Sequence, residues 1–151
     1  MIRRSPRTGL PLIPKTLPQR STRCRDVPPA ELIAGIAQFN VGEYWHCHET
    51  LEALWRSEPD PIRFLYQGIL LIGVGFYHLQ RGNARGALVK LRQGVACLEP
   101  FRPACMGIAV EELFKFAHGT IQGLSDGRPP FPEPTDEGSL PLIRLVATDG
   151  P

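Results

Sequence analysis

A chain of 151 residues, 42% of them apolar and 21% charged, has the make-up of one globular domain with flanking segments. Seventeen basic against fifteen acidic residues leave a net charge of +2, which gives no basis for nucleic-acid binding from overall charge. The four cysteines (Cys24, Cys47, Cys97 and Cys105) lack any C-x-x-C pair, which excludes a zinc site built from cysteines alone. With nothing marking secretion, they read as free thiols in a reducing cytoplasm.

Residues 1–25 form the first unit. Arg3, Arg4, Arg7, Lys15, Arg20, Arg23 and Arg25 give it charge without any acid, and Pro6, Pro11, Pro14 and Pro18 forbid a long helix. The expectation is a basic, proline-rich flexible arm, and the one place where nucleic acid could be engaged. It lacks the apolar core of a signal peptide, and no hydrophobic run follows Arg3-Arg4 as a twin-arginine signal would require.

Residues 26–124 read as the helical domain. Asp26 before Pro28-Pro29 looks like a capping carboxylate, and Leu32, Ile33, Ile36 and Phe39 follow at helical spacing until Asn40-Val41-Gly42 closes the turn. A second helix runs from about Glu43 to Trp55 or Arg56, with Tyr44, His48, Leu51 and Trp55 on one face. Asp60-Pro61 then starts a third, from Ile62 to Gln80, apolar nearly all round and expected to be buried on every side. Arg63, Gln67 and His78 interrupt its apolar run, which is short of the ~20 residues that span a bilayer. Gly68, Gly73 and Gly75 fit close helix crossings. The Arg81-to-Gly86 turn resembles a phosphate cradle but lacks the strand and lysine of one, and reads as a tight helix–helix connection in which Gly86 allows close packing. A fourth helix is expected over Ala84 to Leu98 and a fifth from about Ile108 to Leu124. Residues 125–151 form a Pro/Gly-rich tail in which only Leu140 to Val146 is apolar enough to pack. With no strand pairs, the fold class is all-α, a compact bundle of about five helices around one central apolar helix.

The chemistry concentrates between Phe39 and Trp55, where FNVGEYWHCHETLEALW gathers two histidines, three glutamates and both tryptophans of the chain. His48 and Glu52 stand one turn apart and share a face. HETLE departs from the zinc-protease pattern H-E-x-x-H, because a glutamate replaces the second histidine. His48, Glu49, Glu52 and His78 are the candidate acid–base residues. His48, Glu52 and His78 are the candidate metal ligands, a mixed set of the kind helical bundles use. The rival reading is a satisfied polar network, with His78 or Gln67 as the partner of His48 and with Arg81 or Arg85 near enough to help balance Glu52. Cys47 sits between His46 and His48, about 100° away from each around the helix, so it reads as a small packing residue rather than a nucleophile.

These segments together resemble the domain-of-unknown-function family 309. The resemblance is carried by Phe39, Asn40, Gly42, Glu43, Tyr44, Trp45, His48, Glu49, Leu51, Glu52 and Trp55, then by Gln67, His78, Gly82, Asn83, Gly86 and Ala87, across roughly residues 30–100. It implies a helical bundle with one helix surrounded by the others, and it implies neither a reaction nor a cofactor. Three readings follow: a helical domain with a polar His/Glu cluster between two helices, an acid–base or metal-assisted enzyme using His48 with Glu49 or Glu52, and a protein or nucleic-acid interaction module displaying Trp45 and the basic arm.

Overall fold

The computed structural model describes residues 17–127 and 141–147. Within them the five expected helices form, as α1 (Ala30–Asn40), α2 (Tyr44–Arg56), α3 (Arg63–Gln80), α4 (Ala84–Leu98) and α5 (Val110–Ser125). Short 3₁₀ turns at Thr22–Arg25 and Glu99–Phe101 complete the elements, and the described residues contain no strand. The main helix contacts are between chain neighbours, α1 with α2, α2 with α3, α3 with α4 and α4 with α5. No helix among the described residues is long and apolar enough to cross a membrane.

The first helix starts differently from the expectation. Asp26 ends the Thr22–Arg25 turn and pairs with Arg23 at 3.1 Å, while the carbonyl of Pro29 accepts from the amides of Leu32 and Ile33. Proline at this position presets the φ of an entering chain, so α1 needs no side-chain cap. The α1–α2 corner follows the sequence closely: Gly42 adopts φ 82°, in the left-handed region that suits glycine.

Phe39, Tyr44 and Phe76 join α1, α2 and α3 at the centre of the core. Their ring centroids lie 5.2, 6.1 and 5.8 Å apart. Gly68 and Gly75 open α3 toward α4, since a Cβ at either would lie 2.6 Å from a methyl of Leu98 or Leu91. Gly86 serves another purpose than helix packing. A Cβ there would strike the side chain of Asn83, which caps α4 by accepting from the Gly86 amide at 2.9 Å.

Two expectations need correcting. The central helix is not buried on every side: Arg63, Gln67, Leu71, Val74, Tyr77 and His78 leave one half-buried stripe along α3. Its main contacts are with α2 and α4 alone, which cannot enclose it completely. The boundary at residue 25 also falls inside structure. Arg20 donates to the carbonyls of Pro100, Arg102 and Ala104, and Ser21 donates to Asp60 at 2.6 Å. Cys24 forms a disulfide with Cys105, across 81 positions of sequence. The free-thiol reading therefore holds for Cys47 and Cys97 and fails for Cys24 and Cys105. Linear spacing carries no information about this pairing, because the fold brings the two ends together.

Of the C-terminal tail, residues 141–147 lie on the domain. Asn40 clamps Ile143 twice, accepting from its amide at 2.7 Å and donating to its carbonyl at 3.0 Å. Ile143 is buried, while Leu142 and Leu145 are exposed. Residues 1–16, 128–140 and 148–151, which hold Arg3, Arg4, Arg7, Lys15 and Leu140, lie outside the described residues.

Asp60 ties this periphery to the core. Its Oδ1 accepts from the Ser21 hydroxyl and from the Ile62 amide at 2.8 Å, immediately before α3. Burial alone would raise its pKa, but these bonds and nearby Arg23 outweigh burial and hold it below the ordinary aspartate value. A depressed carboxylate stabilises the fold above its unfolded-state pKa of ~3.9 and loses that contribution as pH falls through the folded value. Asp60→Asn is therefore expected to cost about 1 kcal/mol at pH 7 and progressively less below pH 4, measured by urea unfolding at both ends of that range.

Candidate functional site

The buried line of α2 is Tyr44, Cys47 and Leu51, spaced three and four apart. His48 therefore stands on the flank of the apolar stripe rather than in it, with 22% of its side chain exposed and Glu52 at 28%. Cys47 is fully buried, and desolvation pushes its thiol up to about 12, which suits packing and not nucleophilic attack.

His48 and Glu52 meet as their spacing requires, Nε2 to Oε2 at 3.1 Å. The other oxygen of Glu52 is taken by Arg56, at 2.5 Å and one further turn along. Three residues of one helix thus form a ladder of imidazole, carboxylate and guanidinium. Arg56 fills the role foreseen for Arg81 or Arg85, and its i+4 spacing from Glu52 was legible in sequence. Arg81 instead lies over the ring of Tyr77, 5.5 Å from its centroid, and Arg85 is exposed.

The remaining candidates are placed apart from this ladder. His78 turns its Nδ1 toward the Asn83 amide at 3.4 Å, at the α3–α4 turn. The rings of Trp45 and Tyr77 stand between it and His48, at centroid distances of 4.8 Å (Trp45–His48), 5.1 Å (Trp45–Tyr77) and 6.1 Å (Tyr77–His78). Glu49 is exposed and Gln67 half-buried, and neither joins His48. His48, Glu52 and His78 do not converge on one point, and no group of three His, Cys, Asp or Glu side chains among the described residues is placed to hold a metal ion.

The chemistry open to His48 follows from its two nitrogens. With Glu52 ionised, Nε2–H donates to the carboxylate and Nδ1 carries the free lone pair. That Nδ1 is buried and has no hydrogen-bond partner. A general base needs its nitrogen within ~2.6–3.2 Å of the proton it takes, and here Glu52 holds Nε2, which leaves the buried Nδ1 as the nitrogen without a partner. The pair fixes the orientation of the ring. A side-chain pair at i, i+4 on a helix is worth ~0.2–0.5 kcal/mol. Adding the lost contact with Trp45, His48→Ala is expected to lower unfolding free energy by about 1 kcal/mol or less. Urea unfolding checks this, and a loss above ~3 kcal/mol would identify a sealed network instead.

The ladder runs beside the half-buried stripe of α3, and the two make a seam. At one end Trp45, 48% exposed, lies against His48 and Tyr77. At the other Arg63 lies over Trp55, with its guanidinium carbon 5.1 Å from the ring centroid. The start of α2 meets the end of α3 and the reverse, so the two helices run antiparallel. Arg56, Arg63 and Tyr77 are the members of this surface that sequence reasoning did not single out. Only the half-polar stripe of α3, read at intervals of three and four residues, could have pointed to the last two.

Comparison with known proteins supports the reading of the sequence. Residues 32–89 match the family model described as Domain of unknown function (DUF309), a span running from α1 through α2 and α3 into α4. The chain is similar to the "Uncharacterized protein YpuF" of Bacillus subtilis (strain 168), at 30% identity over 73 residues, or 47% of this chain and 42% of that protein. The chain thus spans less than half the length of that relative. No solved structure matches.

Proposed function

We propose, for a chain whose residues 32–89 match this domain, that it is a helical binding module. The recognition face is the α2–α3 seam, and the occupant is an acidic amphipathic helix of a partner protein. The observation that supports this reading is the placement of Trp45. A large ring left half-exposed yet held between His48 and Tyr77 gives contact area at low entropic cost, as interface anchors do. Leu71 and Val74 continue an apolar strip along the seam.

Charge selects the occupant. Arg56 is neutralised by Glu52, whereas Arg63 and Arg81 stack on rings without an ion pair to any described residue. They lie eighteen positions apart on and just beyond α3, about 27 Å along the axis. A helix with an apolar stripe and acids near both ends matches that spacing. A nucleic-acid strand fits less well, since its phosphates call for a continuous basic track and Arg63 and Arg81 stand about 27 Å apart. His48 and Glu52 act here as positioning residues for Trp45. A cytoplasmic setting, expected while all four cysteines read as free thiols, loses that support with Cys24 and Cys105 bonded, since such bonds are rare in reducing compartments.

Panning a displayed library of helical peptides against the full chain tests it. Enriched peptides should be acidic at both ends, shift the Trp45 and Tyr77 resonances, and bind at least tenfold more weakly to Trp45→Ala. Absence of enrichment, binding indifferent to Trp45→Ala, or tighter binding of single-stranded oligonucleotides would each defeat the proposal.

A further inference from the structure

The Trp55 end of the seam carries a more specific chemistry, which rests on the binding reading above. Three described arginines are half-buried: Arg23, Arg63 and Arg102. Arg23 is paired with Asp26 and Glu58. Arg102 lies 4.0 Å over the Phe114 ring and still holds Glu99 and Glu111. Arg63 stacks in the same manner, on Trp55 and, at 5.7 Å, on Phe64, but it has no carboxylate among the described residues. Its Nε is buried without a hydrogen-bond partner, and so is the indole Nε1 of Trp55 beside it.

Both unpartnered groups are donors. Two N–H groups and a positive charge with no acceptor among them leave a hydrogen-bonding deficit that a cation or an apolar group would not relieve. An oxyanion relieves it, and the planar guanidinium matches a carboxylate in shape. Burial already pulls the Arg63 pKa below the ordinary arginine value, so a bound anion would favour the charged form that the site now disfavours. Gln67, one turn further along α3, offers a free amide on the same side.

We infer that Trp55 and Arg63 form a carboxylate-binding subsite, which receives an acidic side chain of the partner helix. The indole N–H and the guanidinium share the carboxylate oxygens. The aromatic faces hold the guanidinium in place before the anion arrives, and this preorganisation lowers the ordering cost of binding.

Nuclear magnetic resonance of the full chain, labelled with ¹⁵N and titrated at constant ionic strength, provides the test. Sodium acetate is the probe, balanced with sodium chloride. Acetate should move the Trp55 indole N–H and the Arg63 Nε–H saturably in the millimolar range and leave the Trp45 indole in place. Arg63→Gln should abolish the Trp55 response, and Arg63→Lys should weaken it about tenfold. Should Arg63→Gln lose its fold, Trp55→Phe keeps the ring and removes only the donor. The Arg63 Nε–H should then respond several-fold more weakly. Linear shifts of both indoles, a response that survives Arg63→Gln, or inorganic phosphate binding more tightly than acetate would overturn the carboxylate subsite. Acetate binding without any peptide at Trp45 defeats the seam reading alone. Peptide binding at Trp45 with Trp55 unresponsive to acetate and peptide defeats this inference alone.

Discussion

Replacing Phe39 with alanine lowers the free energy of unfolding by about 3–5 kcal/mol, the range for truncating a buried phenylalanine whose neighbours cannot collapse into the space. Phe39 is fully buried and is the point where α1 meets both α2 and α3. Its ring stands edge-on to Tyr44 and Phe76, at interplanar angles of 73° and 78°. Such pairs add ~0.5–1.5 kcal/mol beyond the area they bury. Relaxation is blocked because the three rings come from three different helices, so closing the cavity requires one helix to shift against another. Urea unfolding followed by circular dichroism measures the loss. An unchanged slope with a lower midpoint is expected, and a loss under ~1 kcal/mol would show that the triangle does not join the helices.

That prediction bears on what the shared motif is for. Phe39 and Tyr44 fill the core, and Leu51 packs behind them. Asn40 holds Ile143, Gly42 makes the turn, Asn83 caps α4, and Gly86 gives the cap room. Most of the motif therefore maintains the fold. It also leaves Glu43, Trp45, Glu49, Gly82 and Asn83 exposed and His48, Glu52, Trp55, Gln67 and His78 half-buried, and of these Trp45, His48, Glu52 and Trp55 lie along one side of α2.

The helices were legible because each signal is local. Glycine and asparagine at the α1–α2 and α3–α4 turns, Asp60-Pro61 before α3 and Pro100 after α4 all act within a few residues. The facing of His48 was not legible. Tyr44, His48, Leu51 and Trp55 satisfy helical periodicity as well as Tyr44, Cys47 and Leu51 do, and a one-residue rotation separates them. Only packing decides between the two, and it places the smaller cysteine inward, its Sγ 3.7 Å from where a Cβ at Gly73 would lie. The Arg63–Trp55 contact and the Cys24–Cys105 bond were illegible for a second reason. Each depends on how distant segments meet, and a single sequence fixes neither distance nor direction between them.

The disulfide gives the second large effect. Reducing Cys24–Cys105, or replacing both with serine, is expected to destabilise the protein by about 2–4 kcal/mol. Their separation of 81 residues encloses most of the domain, and in the chain-entropy account a loop of that length is worth ~4.5 kcal/mol. The loss should fall short of the full figure because other ties survive. The Met106 amide still donates to the Cys24 carbonyl at 2.7 Å, Arg20 still grips three carbonyls, and Ser21 still reaches Asp60. The effect should nonetheless be global rather than a fraying of residues 17–26. Cys105 lies in the segment between Phe101 and Val110, where Phe101, Met106, Ile108 and Val110 are all fully buried beneath α5. Urea unfolding with and without dithiothreitol measures it. The reductant acts on this bond alone among the described cysteines, since Cys47 and Cys97 are already free and their buried thiols are pushed up to about 12 and 11. The double serine variant should unfold at the same midpoint with or without reductant. Coincident midpoints for the wild type in the two conditions would mean that the polar ties hold the segment by themselves. Hydrogen exchange at the Met106 amide separates the remaining case. If it opens on reduction while the amides of α3 stay protected, the bond secures only the periphery, and the expected global loss is wrong.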